Sequence, residues 1–313
     1  MSEFSIIQQY FNRPCQETDL GIGDDAALIS VPQGYQLAIS TDMLVSGTHF
    51  FPDTAANHIG WKAMAVNISD MAAMGAEAKW ATLSIALPEA NPAWLNQFSA
   101  GLFECAEQFG VSVIGGDTTR GPLNISLQIM GIIPRDQALT RHGAQLGDEI
   151  WHSGYLGHAA QALKYLQSNQ SCPANLLSAL HRPQPRIQLG IALRTIAHSA
   201  IDISDGLLAD LGHILEASAL GAEIAWPNIA HQLKAPTEDN YAMVLSGGDD
   251  YELCFTAPPS AHEQIVAIGQ TLGLPLSCIG HTCQPPGIRV LDAQQQAITL
   301  QGKGYDHFKN KQT

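Results

Sequence analysis

Val111-Ser112-Val113-Ile114-Gly115-Gly116-Asp117-Thr118-Thr119-Arg120 decides how this chain is read. Val111–Ile114 suits a short strand, and the glycine pair reads as a turn that lets the backbone approach a ligand before ending in a carboxylate. Upstream, after Pro92, Trp94, Phe98, Leu102, Cys105 and Phe109 recur near one helical face, so a helix leads into this strand. Downstream, Ile125–Ile133 is a second strand-like run. Further out, Gln36–Ser40, Ala81–Leu87, Glu149–His152, Ala200–Ile203 and Leu253–Ala257 are strand candidates. Leu207, Leu208, Leu211, Ile214 and Leu215 space another helix over residues 205–220. Strands alternating with helices predict an α/β or α+β architecture. A length of 313 residues favours two domains, and the break is expected near Pro134–Gly147. His181–Arg186, rich in proline, reads as a loop entering a helix.

Composition narrows the function. Hydrophobic residues make up 45% and charged residues 14%, which suits a packed globular chain. The net charge of -14, from 15 Lys+Arg against 29 Asp+Glu, disfavours nucleic acid and anionic membrane surfaces as partners. A polyphosphate ligand would need bridging cations. The six cysteines form no C-x-x-C pair, which argues against a zinc site or a disulfide framework and suits reduced thiols. The first residues lack the basic and apolar regions of a signal peptide. The Ala-rich stretch 59–76 is interrupted by Lys62, Asn67 and Asp70, so it is a poor membrane span. A soluble, cytoplasmic protein is expected.

Acidic residues gather beside Gly, Ser and Thr at the apparent ends of apolar runs. These are Gly23-Asp24-Asp25, Ser40-Thr41-Asp42, Ser69-Asp70, Gly116-Asp117-Thr118, Asp202-Ile203-Ser204-Asp205 and Gly248-Asp249-Asp250. Like charges brought together repel unless neutralised, and Mg²⁺ prefers such oxygen donors. Each motif also has a plain alternative. Gly21-Ile22-Gly23 lacks the third glycine of a dinucleotide fingerprint and could be an acidic turn. Ser40-Thr41-Asp42 and Ser204-Asp205 could be caps or turns. Asp70 lies in an Ala/Met-rich helical pattern, either facing solvent or held by a partner. Arg141 and His49 could each serve a substrate or be ordinary surface and packing residues. No P-loop, protein-kinase set, H-E-x-x-H, G-x-S-x-G or EF-hand pattern occurs.

Taken in order, the motifs resemble the thiamine-monophosphate kinase family. They are Gly21–Ala27, Ser40–Val45, Asn67–Ala76, Gly115–Thr119, Ile203–Leu207, Gly248–Leu253 and Lys303–Phe308. The resemblance implies the two-domain fold of aminoimidazole ribonucleotide synthetase and a homodimer joined through N-terminal strands. Residues 1–137 would form a metal- and ATP-binding dimerisation domain, and 138–313 a domain completing the nucleotide and substrate site. The implied reaction is direct transfer of the ATP γ-phosphoryl group to thiamine monophosphate, the last step of thiamine diphosphate biosynthesis. By the same resemblance Asp25, Ser40, Thr41, Asp42, Asp70, Asp117, Asp202 and Asp205 would arrange several Mg²⁺ ions, with Asp42, Asp117 and Asp205 central to catalysis. Gly116, Asp117, Arg141 and Ser204 would contact ATP, and His49, Asp249 and Tyr305 thiamine monophosphate. The resemblance also admits a monovalent cation beside the Mg²⁺ ions. Asp249 stands where the family usually has glutamate, a methylene longer. Two alternatives are an ATP-dependent relative on the same fold, such as a selenophosphate synthetase, and a non-catalytic Mg-nucleotide sensor.

Overall fold

The chain divides into two compact units, Met1–Ala72 with Ala76–Ala138, and Ala73–Gly75 with Leu139–Thr313. The computed structural model describes residues 1–229, 231 and 237–298. The motif Lys303–Phe308, with Tyr305, lies outside the described residues.

The first unit contains α1 (Glu3–Ile6), β1 (Tyr35–Val45), α2 (Ala56–Ala73), β2 (Glu77–Leu87), α3 (Pro92–Phe109), β3 (Ser112–Arg120) and β4 (Asn124–Pro134). Its sheet has the order β1-β4-β2-β3, so β1 and β3 are the edges. β4 pairs antiparallel with β1 and β2, whereas β2 and β3 run parallel. Alternation on β2 and β4 buries Leu83, Ile85, Ile125, Leu127 and Ile129 on one face and turns Ser84 and Gln128 to the other. α2 is buried almost all round, which explains its Ala- and Met-rich composition. α3 starts where Asn91 accepts the N–H groups of Ala93 and Trp94, with Pro92 in the first turn, and stops at the left-handed Gly110.

Two expectations need correction here. β1 does not stop at Ser40, and β3 does not stop at Ile114. Ser40-Thr41-Asp42 and Gly115-Gly116-Asp117 therefore lie inside strands rather than at strand ends or in a turn. The reason is the backbone ladder. Ser40 and Asp42 face Ile129 and Leu127 of β4, while Gly116 and Asp117 face Leu83 and Ser84 of β2. Pairing continues after the apolar pattern fades, because it is made by peptide groups.

The second unit contains β5 (Glu149–Ser153), α4 (His158–Gln167), α5 (Ala174–His181), α6 (Ile187–Leu193), β6 (Ser199–Asp202), α7 (Leu207–Ser218), β7 (Gly221–Ala225), α8 (Glu238–Ser246), β8 (Leu253–Ala257), α9 (His262–Leu272), β9 (Leu276–Cys283) and β10 (Gly287–Leu291). The sheet order is β10-β7-β9-β5-β8-β6, antiparallel except for β10 with β7. One face carries Ile150, Ile201, Cys254 and Ile279 into a core shared with Leu207, Leu211 and Ile214 of α7 and Leu245 of α8. On the opposite face Trp151 stacks on Phe255 with centroids 6.3 Å apart, and the His262 ring of α9 lies against Trp151. The loop expected over His181–Arg186 does join two helices, α5 and α6. No helix among the described residues is long and apolar enough to cross a membrane.

Candidate active site

In the first unit, strand alternation sorts the acidic motif by face. Ser40 and Asp42 point toward α2, and their neighbours Ile39, Thr41 and Met43 are exposed on the other side. Ser40 Oγ donates to Asp70 Oδ2 at 2.5 Å, and the Asp42 N–H donates to Asn67 Oδ1 at 3.1 Å. Asn67 and Asp70 are three residues apart on α2, so they share a helix face. Asn67 Nδ2 donates to the Ala63 carbonyl at 2.9 Å, which fixes the amide with its oxygen toward the strand. Asp70 is thus the partly buried, partnered residue that one of its two readings required.

His49 follows β1 in a turn, where its Nδ1 accepts the Val45 N–H at 2.9 Å. That bond leaves the ring proton on Nε2. Asp117 lies on edge strand β3, so β4 and β2 separate it from Asp42. Gly116 beside it has φ +146°, and a Cβ there would run into the Leu83 carbonyl, so only glycine fits. Asp25 is exposed on the loop closed by the Leu20–Leu28 bridge. The structure gathers Ser40, Asp42, Asp70 and His49 around the far half of β1. Asp25 lies in the loop before β1, Thr41 faces the other side of β1, and Asp117 lies on the edge strand at the far side of the sheet.

In the second unit, β6 ends at the buried Asp202 and the chain turns through Ser204-Asp205-Gly206 into α7. Asp210, one turn into α7, accepts the N–H groups of Ser204, Asp205 and Gly206 on one oxygen at 3.0, 3.0 and 3.1 Å. Burial pushes the Asp210 carboxyl up to about 7, against the lowering effect of those three donors. Because its N–H is occupied, Ser204 can donate to a ligand only through its hydroxyl.

A second loop is hydrogen-bonded to the first. Asp249 N–H donates to the Ser204 carbonyl at 2.9 Å and Tyr251 N–H to the Ile203 carbonyl at 2.8 Å. Asp249 and Tyr251 both take positive φ, at 71° and 51°, and the Tyr251 hydroxyl donates to Asp249 Oδ1 at 3.2 Å. Two side-chain-bearing residues in this region within three positions point to a conformation kept for function. Asp202, Ser204, Asp205 and Asp249 are thereby brought together. Arg141 is exposed in the preceding loop, next to Thr140, whose carbonyl accepts the Ala200 N–H of edge strand β6 at 2.9 Å.

Behind this loop lies a buried polar network. Burial raises the Asp250 carboxyl well above its usual range, and its Oδ2 accepts the Gly157 N–H at 2.9 Å. Glu252 accepts two bonds from Arg186, one from Nε at 2.6 Å and one from Nη2, and another from Ser153 Oγ at 2.5 Å. Sequence reasoning missed Asn67, Asp210 and this network. For Asp210 a signal existed, since it interrupts the apolar face Leu207, Leu211, Ile214 of α7.

The arrangement offers oxygen donors on rigid elements in each unit, and neither a nucleophile nor a base is needed to explain it. Comparison with known proteins gives this chemistry a family. Residues 23–133 match the AIR synthase related protein N-terminal domain, and residues 145–292 the corresponding C-terminal domain. The chain is 46% identical over 320 residues to thiamine-monophosphate kinase of Escherichia coli K12, covering 98% of each. A crystal structure of thiamine-monophosphate kinase from Stenotrophomonas maltophilia K279a is 43% identical, with TM-score 0.84 over 92% of this chain and 94% of that one. AaThiL complexed with AMPPCP and TMP is 28% identical, with TM-score 0.75 over 89% of each chain. The chain belongs to the thiamine-monophosphate kinase family, on the two-domain fold of the AIR synthase related proteins.

Proposed function

We propose that this chain transfers the γ-phosphoryl group of ATP to thiamine monophosphate, yielding thiamine diphosphate and ADP. The observation that carries the reading is the near full-length match to thiamine-monophosphate kinases, one of whose structural neighbours holds AMPPCP with TMP. Donor and acceptor are both phosphates, so their mutual repulsion is the main obstacle. Phosphoryl transfer needs alignment and charge neutralisation rather than covalent help. The acceptor phosphate is already an anion at neutral pH, so no general base is assigned.

Mg²⁺ suits the donors present. Ser40, Asp42 and Asp70 offer only hard oxygens on partly buried side chains, with Ser40 bonded to Asp70 and the Asp42 backbone tied to Asn67 of the same helix. These three would hold one ion, with Asp25 and Asp117 serving others, and Asp202 and Asp205 doing the same in the second unit; Thr41, on the opposite face of β1, is left out of the set. Bound Mg²⁺ would neutralise phosphate charge and orient the reacting oxygens. Gly116 lets backbone approach a phosphate, the Ser204 hydroxyl donates to ATP, and Arg141 supplies a charge-assisted donor. His49 Nε2–H and the Asp249 carboxylate contact thiamine monophosphate, the latter facing the cationic thiazolium. Tyr305 is assigned to the substrate ring on the sequence alone. We further place the protein in the cytoplasm as a homodimer, paired through edge strand β1. Leu37, Ile39 and Met43 are 36%, 57% and 52% exposed on one face of that strand, more apolar surface than a water-facing strand usually shows.

The test is ADP release by the purified chain with ATP and Mg²⁺, measured before and after thiamine monophosphate is added. Release should depend on both Mg²⁺ and the acceptor, and thiamine should not replace the monophosphate. ADP release indifferent to the acceptor would overturn the reading in favour of another ATP-dependent reaction on this fold.

A further inference from the structure

In the second unit, three donors of different chemistry meet far from the loops just described. Glu149 opens β5, His262 opens α9 and Cys278 lies in β9. β5 and β9 are neighbours, with Cys278 opposite Trp151, two residues beyond Glu149, so both side chains leave the same sheet face. The first turn of α9 places His262 over that face, its ring against Trp151 at 4.9 Å. One ligand atom from each of the three residues lies within 4.8 Å of the others.

We propose that Glu149, His262 and Cys278 form a binding site for a borderline divalent transition ion of the Zn²⁺ class, with a fourth position open to water. A tetrahedral ion with sulfur, nitrogen and oxygen ligands holds them about 3.5 Å apart. The observed spread therefore needs a closure of roughly one ångström, within reach of side-chain rotation. His262 Nδ1 already lies 3.0 Å from both carboxylate oxygens of Glu149. The Trp151 indole N–H donates to Glu149 Oε2 at 3.2 Å, which orients the carboxylate and leaves Oε1 to bind. Such outer hydrogen bonds are typical of built metal sites.

The donor set also selects the ion. A thiolate with an imidazole and one carboxylate suits Zn²⁺ and its neighbours and not Mg²⁺, which takes oxygen. Burial and the Glu149 charge push the Cys278 thiol up to about 11, so the cluster holds a neutral thiol until a cation displaces its proton. The side chain of His262 is 41% exposed, giving an ion an entry path. The site is separate from the proposed phosphate chemistry. Along β8, Glu149 pairs with Ala257 and Asp202 with Leu253, so the two stand at opposite ends of that strand, about 13 Å apart along it. The absence of a C-x-x-C pair had argued against zinc, but spacing is blind to ligands drawn from three elements. A bound ion would tie the start of α9 to the sheet.

The experiment uses the full chain, stripped with a chelator and returned to excess Mg²⁺. Zn²⁺ binding is followed by equilibrium dialysis and thermal unfolding, and Co²⁺ binding by its thiolate charge-transfer absorption. We expect about one Zn²⁺ per chain, a raised Tm and a cobalt–thiolate band. All three should be lost in Cys278→Ser and in His262→Gln, whose metal-free Tm should stay close to the parent. His262→Gln alters a half-exposed side chain, so it remains informative if the cysteine variant fails to fold. No Zn²⁺ uptake above the Mg²⁺ background would overturn the proposal. So would a band that persists in both variants, since another thiol such as Cys15, Cys172 or Cys283 would then hold the ion.

Discussion

Asp210 gathers three successive backbone N–H groups on one carboxylate and so shapes the turn that presents Ser204 and Asp205. Its consequence for stability has a definite sign. A carboxyl whose folded pKa is raised to about 7 binds its proton more tightly in the folded chain than in the unfolded one. Its stabilising share is full below the unfolded value near 4 and is lost as pH rises through about 7. In chelator-treated buffer, wild-type protein should therefore lose stability relative to Asp210→Asn across this window, on the order of a few kcal/mol. Urea unfolding at several pH values measures this; parallel curves for the two proteins would refute it. At this scale the sequence was informative about residue types and less so about partners. Ser40 and Asp70 could be named from acid-rich motifs, but only the fold shows a hydroxyl of β1 on a carboxylate of α2. Thr41, between Ser40 and Asp42 in sequence, is sent to the opposite face by strand alternation.

Among the elements, the Arg186–Glu252 pair joins the residue before α6 to the start of β8, and Ser153 adds the end of β5. Glu252 is buried, so losing its cation leaves an unpaired interior charge. Arg186→Ala should cost about 3–5 kcal/mol by urea unfolding, and a cost below about 1 kcal/mol would show the pair to be solvated. Elements with clear apolar patterns, β2, β4, β5, β8, α3 and α7, were legible from the sequence. β7, β9 and β10 were not, for a packing reason visible at Gly280. A side chain there would strike the Glu223 carbonyl of β7, so β9 must carry glycine where a strand pattern would show Val or Ile. β1 and β3 were read too short, because polar residues and glycines interrupt the apolar signal while the ladder continues.

For the whole molecule, edge strand β1 presents Leu37, Ile39 and Met43 on one face, and the proposed dimer would cover them. Sedimentation velocity should show wild-type protein as a dimer and Ile39→Glu/Met43→Glu as a monomer; a wild-type monomer, or a variant dimer of unchanged affinity, would contradict this pairing. The two-unit organisation was legible from length and from the break in pattern after Pro134, whereas the family came from the ordered set of motifs rather than from any one of them. The most direct measurement identifies the product. Purified protein is mixed with ATP, Mg²⁺ and thiamine monophosphate, the thiamine species are separated chromatographically, and Asp42→Asn is run in parallel. We expect thiamine diphosphate and ADP in equal amounts from the parent, with turnover lowered at least about 100-fold in the folded variant. Folded parent protein that binds Mg-ATP yet forms no thiamine diphosphate would contradict the account.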